Sequence, residues 1–317
     1  MMGRILFFGT STFALPALQQ LSAAGYEIVG VVTQPDRPSG RGGKLTPPPL
    51  KLLAESLDLL VLQPESCREP EFIAHAKSLA PDISVVVAYG QFLPDSLRLL
   101  PQMGTVNLHG SLLPKYRGAA PVQRAIWAGE QETGVTLMWM AKQMDAGDII
   151  ATVHTDIGAT ETGADLYERL AVMAAPLLLH HLPSILAGTA PHIPQYTEKV
   201  TFAPAIKKEE RVIDWRNEAM VISLQIRALA PAPAAYTAFR GIMVKILSAA
   251  VVDESNETPK AGEPGQVIEV NNKDGLSVAT GDGILNLKMV HPAGKRPMSG
   301  ADFARGNHLS IGEKFTN

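Results

Sequence analysis

The chain has 317 residues, 46% of them hydrophobic and 19% charged, with a formal net charge of −3. That length exceeds what one core usually fills, so two domains are expected, and the composition excludes a disordered chain. The net charge by itself says nothing about nucleic acid, any contact with which would come from local basic patches, and the lone Cys67 excludes an intramolecular disulfide and a Cys-rich metal site.

RILFFG (residues 4–9) reads as a buried strand, FALPALQQLSAAG as a helix stopped by Gly25, and YEIVGVVT as a second strand. The first residues imitate a signal peptide, but residues 9–12 break the apolar run, and strand, loop and helix is the better reading. Such a unit fits a right-handed parallel α/β sheet, while the loop GTSTFA lacks the G-x-G-x-x-G pattern of dinucleotide binding. DISVVVAYG (82–90) and GTVNLHG (104–110) give two more strands, APVQRAIWAGE a helix and TGVTLMWMA another strand. ADLYERLAVMAAPLLLHHLPSILAG is helical in spacing, with Pro176 and Pro183 expected to break or kink it, and no span is expected to reach transmembrane length.

Residues 1–189 are therefore expected to form a Rossmann-like, mostly parallel α/β domain. Residues 190–208 carry three prolines and no period, and read as a surface linker. From 209 to 317, GIMVKILSAAVV, GQVIEV, GLSVAT and GILNLKMV, punctuated by KDG and GDG turns, suit a small OB-like β-barrel. From Ile206 onward there are 14 Lys+Arg against 13 Asp+Glu, so that part is not strongly basic.

Ligands of open parallel sheets gather at the carboxyl ends of strands. Asn107 and His109 stand at such an end, two residues apart and so on one face. Asp145, in KQMDAGDII after the next strand, is expected in the same crevice. An amide and an imidazole can hold a developing oxyanion, and a carboxylate can orient the imidazole or accept protons from an amine. No Ser or Cys nucleophile is paired with a base here, which favours direct transfer of an acyl group to an amine. An Asn-x-His pair at a strand end is also a common structural hydrogen-bonding pair, so pattern alone reaches an α/β enzyme and stops.

NLHGSLLPKYRGAAPVQRAIWAGE, with MDAGDII downstream, resembles the folate-dependent formyltransferases. GTSTFALPAL, TQPDRPSGRGGKL, VVVAYGQFLP, ETGVTLMWM, IDW and VATGDGILNLKMVHPAGKRPMS extend the resemblance nearly end to end, toward members acting on initiator methionyl-tRNA. The resemblance implies transfer of the formyl group of 10-formyltetrahydrofolate, a consumed co-substrate, to the amino group of that tRNA for translation initiation. Asn107, His109 and Asp145 would be catalytic. Ser111, Leu112, Leu113 and Pro114 would contact the folate, and the backbone around Tyr89 and Gly90 would frame its pterin. No metal is implied, and a cytoplasmic monomer without a membrane is expected.

The tRNA contact is expected from the glycine-containing, mobile loop QPDRPSGRGGKLTPPPLK (34–51), where Arg37, Arg41, Lys44 and Lys51 outnumber Asp36. Arg41 is the leading candidate, and Arg117, beside Lys115, would reach the 3′ end. Relatives often carry an N-P-W-P stretch where this chain reads LAPAPAAY, with Ala at the Asn and Trp positions. The alternatives are a formyltransferase for a small amine, a hydrolase releasing formate, and an RNA-binding protein whose α/β domain is inactive.

Overall fold

The computed structural model describes residues 3–39, 43–252, 262–271 and 275–316. It divides into two units: Met1–Pro121, Glu132–Asp156 and Tyr167–Pro204 form the first, and Val122–Gln131, Ile157–Leu166 and Ala205–Asn317 the second.

The first unit is built on apolar runs too continuous to have a wet face. Strand β1 (Arg4–Gly9) is flanked by β2 (Glu27–Val32) after helix α1 (Leu15–Ala23). Next come a two-stranded ribbon, β3 (Arg37–Ser39) and β4 (Lys44–Thr46), then α2 (Pro49–Ser56) and the short β5 (Val61–Leu62). Helix α3 (Pro70–Ser78) leads into β6 (Ile83–Val87), and α4 (Asp95–Arg98) into β7 (Thr105–His109). In chain order there follow helix α5 (Pro121–Trp127), which from Val122 groups with the second unit, β8 (Glu132–Trp139), β9 (Ile149–Asp156) and α6 (Gly163–Leu186), which lies in the first unit from Tyr167 onward.

The sheet order is β5-β2-β1-β6-β7-β8-β9. Neighbours are parallel from β5 to β7, while β8 and β9 return antiparallel. Every residue of β6 and β7 is buried, as strands covered on both faces require. The chain builds β2 and β5 on one side of β1 and then crosses to β6 on the other, the arrangement that opens a ligand crevice at the strand ends.

Helix α6 runs unbroken through Pro176 and Pro183, correcting the expected break. Both prolines are exposed, so the carbonyls they leave unbonded lie on the wet side, while Leu170, Ala174, Leu178, Leu182 and Ile185 bury the other side. At 24 residues α6 is, by length and composition alone, long and apolar enough to cross a bilayer, which also departs from the sequence reading.

In the second unit, helix α7 (Ala219–Leu229) precedes β10 (Ala235–Phe239), β11 (Ile242–Val251), β12 (Val267–Asn271), β13 (Gly275–Ala279) and β14 (Ile284–Pro292). The chain ends with β15 (Met298–Ser299), α8 (Gly300–Gly306) and β16 (Phe315–Thr316). The antiparallel order β12-β13-β14-β11-β10-β16 curls round. Backbone bonds from Val267 N–H to Glu313 O (2.8 Å) and from Phe315 N–H to Gly265 O (2.9 Å) bring the last strand back to the first, giving the expected barrel-like closure. Its core stacks Phe239, Phe303, Phe315 and Trp215, and the Trp215 indole N–H donates to Thr237 Oγ1 at 3.0 Å. Two stretches that the sequence reading assigned to the first domain, 122–131 and 157–166, group with this unit.

Candidate active site

Strand β7 ends in the two polar side chains that its apolar neighbours cannot satisfy. Asn107 is opposite Val86 and Met138, and His109 opposite Thr136. The period of two sets both on one face, where they are 9% and 6% exposed. Among the described residues the Asn107 amide has no hydrogen-bond partner, so its N–H groups remain free for a substrate.

The His109 ring is oriented from both sides. Its Nε2 lies 2.9 Å from the Tyr116 carbonyl oxygen, which can only accept, so Nε2 carries the proton. Its Nδ1 faces Asp145 Oδ2 at 3.7 Å, and the same oxygen accepts the Gly118 backbone N–H at 2.9 Å. Asp145 and Tyr116, on either side of the ring, both hold positive φ (+51° and +62°), a region that costs a non-glycine residue free energy and persists only where contacts enforce it.

Those contacts are local in space and distant in sequence. The hydroxyl of Thr136, on β8, donates to Ser111 O (2.7 Å) and accepts from Leu113 N–H (3.1 Å), tying the loop after β7 to the sheet. Ser111 Oγ donates to Lys115 O at 2.7 Å. On the other flank, Tyr116 N–H donates to Thr201 Oγ1 (2.8 Å), Arg117 N–H to Thr201 O (2.9 Å), and Ala203 N–H to Arg117 O (2.7 Å). Gly118, at φ +133°, passes so close that a Cβ there would stand 2.5 Å from the Ala203 oxygen. Part of the stretch read as a linker, up to Pro204, thus lies in the first unit and packs on the loop beside His109.

The structure sets Asp145 against His109, with Asn107 two residues before His109 on the same face of β7. The residues expected at the folate are placed as follows. Ser111 is fully buried with its hydroxyl engaged, Leu113 is buried, Leu112 and Pro114 are half-buried, and Gly90 is exposed at φ +88°. Tyr89 is a core residue: its ring packs edge-on to Phe8, its hydroxyl meets Cys67 Sγ at 3.0 Å, and burial pushes both its phenol and the Cys67 thiol up. Its carbonyl already accepts from Thr10 Oγ1 (2.7 Å) and Gln34 Nε2 (3.3 Å).

The expected tRNA residues fare differently. Arg41 lies outside the described residues. The flanks of its loop form the β3–β4 ribbon, where a mobile loop was expected. Arg37 pairs with Glu65, outside the loop, at 2.7 Å, and Lys51 with the loop's own Asp36 at 2.9 Å, so two of the counted charges are offset. The exposed Lys44 ammonium has no partner among the described residues. Arg117 is 6% exposed, and its guanidinium donates to the side-chain Oε1 of Gln195 at 2.7 and 3.1 Å, so it faces inward. Among the described residues no group of three or more His, Cys, Asp or Glu stands ready to hold a metal. Sequence reasoning missed Thr136, Gln195, Thr201 and Gly118. Only Gly118 carried a signal, as the glycine of YRGAAP.

Residues 3–182 match the family model "Formyl transferase" and 205–308 match "Formyl transferase, C-terminal domain". Methionyl-tRNA formyltransferase of Symbiobacterium thermophilum is 46% identical over 313 residues, covering 99% of this chain and 95% of the relative. That of Bacillus subtilis is 44% identical, covering 98% and 97%. Among solved structures, HypX from Aquifex aeolicus in complex with tetrahydrofolic acid shares the fold at a TM-score of 0.67 and 18% identity. The match covers 99% of this chain but only 49% of HypX, so the chain spans about half of that protein. The apolar strands, the Asn107–His109–Asp145 grouping and the near full-length identity agree, and the chain belongs to the formyl transferase family, among the methionyl-tRNA formyltransferases.

Proposed function

We propose that this enzyme transfers the formyl group of 10-formyltetrahydrofolate to the α-amino group of initiator methionyl-tRNA. The observation that carries the reading is the set of Asn107, His109 and Asp145 in a chain 44–46% identical to methionyl-tRNA formyltransferases. HypX, similar in fold, binds tetrahydrofolic acid, which supports a folate-type donor.

In the proposed reaction the amine nitrogen attacks the formyl carbon, a C–N bond forms, and the carbonyl oxygen becomes negative. The unpaired Asn107 amide donates to that oxygen, a type of contact worth about 10²–10³-fold in rate. His109 spends its Nε2–H on Tyr116, so any proton it offers or takes is on Nδ1, the edge that faces Asp145. Asp145 and that edge together accept the proton lost by the attacking amine. Collapse of the intermediate breaks the bond to the folate N10, which leaves with a proton as tetrahydrofolate. No covalent enzyme intermediate is needed. For the tRNA, Arg37, Arg41 and Lys44 are the proposed contacts, acting on backbone phosphates. The enzyme acts as a monomer in the cytoplasm.

The test is formyl transfer from 10-formyltetrahydrofolate to purified initiator methionyl-tRNA, with elongator methionyl-tRNA and small amines as parallel acceptors. Product on the initiator tRNA alone supports the reading. Product on a small amine, or formate without acceptor, would keep the active site and discard the tRNA.

A further inference from the structure

Residues 191–199 are exposed with one exception, Gln195, which turns inward. Its side chain makes every hydrogen bond an amide of this kind can be asked for. Nε2 donates to the carbonyl oxygens of Asp145 and Gly147, both at 2.8 Å. Oε1 accepts from Arg117 Nε (3.1 Å) and Nη2 (2.7 Å). Gln195 therefore joins two segments that meet nowhere in the sequence: the turn carrying Asp145, and the loop whose Tyr116 carbonyl and Gly118 N–H hold His109 and the Asp145 carboxylate. It grips the backbone of Asp145, a residue held at φ +51° against its own preference.

We infer that Gln195, braced by Arg117, is a positioning residue for the catalytic carboxylate: it fixes the Asp145 backbone so that Oδ2 meets the Nδ1 edge of His109. The inference rests on the catalytic reading of Asp145 above. Misplacing a reacting group by an ångström can cost about 10²-fold in rate, so loss of the grip should cost kcat on the order of 10- to 100-fold. Substrate binding should stay near its original strength, because Gln195 touches neither substrate in the proposed reaction.

The experiment compares Gln195→Met and Gln195→Glu in the full chain, each alone and with Asp145→Asn, by steady-state formyl transfer and by calorimetric binding of 5-formyltetrahydrofolate. Gln195→Glu keeps an acceptor that can pair with Arg117, so it preserves the tether, but it has no N–H to offer the two carbonyls. Both variants are expected to lower kcat with KM and folate binding little changed. In the Asp145→Asn background the same changes should cost less than about 3-fold, because they act through the carboxylate already removed. Should Gln195→Met fail to fold, Gln195→Glu with its retained tether decides alone. Full kcat in Gln195→Glu, a loss confined to KM for tRNA, or equal losses in both backgrounds would overturn the inference. Absence of formyl transfer by the unmodified protein would instead sink the functional reading, which keeps the two failures apart.

Discussion

Removing the carboxylate of Glu210 should destabilise the second unit in a manner that fades with acid. Arg124, on α5, binds Glu210 through two bonds, Nη1–Oε1 at 2.7 Å and Nη2–Oε2 at 3.0 Å. The Lys207 backbone N–H adds a third at 2.9 Å. The Arg124 hydrogen bonds foremost, and then that backbone bond, hold the Glu210 carboxyl down from its ordinary 4.5 to about 2. Taken at face value the depression is worth about 3 kcal/mol. The side chains are 18% and 32% exposed, so water and salt reach the pair, and about 1 kcal/mol is the reasonable expectation. Because the folded-state value lies below the unfolded one, the contribution is full above pH 4.5 and is lost as pH falls toward 2. Urea unfolding of wild type and Glu210→Gln, followed by tryptophan fluorescence, reads this directly, since Arg124 lies 5.5 Å over the Trp127 ring. The variant should be weaker by about 1 kcal/mol at pH 7, with most of the gap gone by about pH 3. A gap that stays constant or widens as pH falls would refute the pairing as its cause.

His109→Ala should lower kcat by about 10²–10⁴-fold with folate binding retained, measured by single-turnover transfer beside calorimetry. Lys44→Ala should raise KM for tRNA and reduce the slope of log binding against log salt by about 1, a larger effect than Arg37→Ala, whose charge is already offset by Glu65. Gly118→Ala forces an unfavourable φ and a Cβ 2.5 Å from the Ala203 oxygen, and should cost about 1–3 kcal/mol in unfolding as well as part of kcat. Thr237→Val strands the buried Trp215 indole N–H and should cost about 1–3 kcal/mol, read as a fall in thermal midpoint with kcat unchanged.

What could be read in the sequence follows from where a period constrains the residues. The strands β1, β2, β6 and β7 stand out because parallel strands covered on both faces are mostly apolar along their length. Strand β9, IIATVHTD, alternates half-buried and exposed positions on the sheet edge, and its polar residues hid it. Helix α8 escaped the sequence reading because it is one short stretch of seven residues, held at its start by Ser299 Oγ, which accepts the Asp302 N–H at 3.0 Å. Asn107 and His109 could be found for the converse reason, since polar residues inside an apolar run of period two break a pattern. The Arg37 charge stands free in the sequence, which shows only neighbours along the chain, and its partner Glu65 is brought to it by folding. Gln195 marks the limit. It lies in an aperiodic, proline-flanked stretch of exposed residues, where one more polar side chain breaks nothing. Its meaning is carried wholly by three segments, the strap of residues 191–204, the Asp145 turn and the Arg117 loop, meeting at one amide. A residue that acts by satisfying distant backbone leaves a trace in the hydrogen bonds it makes and none in the local composition, so the supports of an active site are harder to read from sequence than its reacting groups.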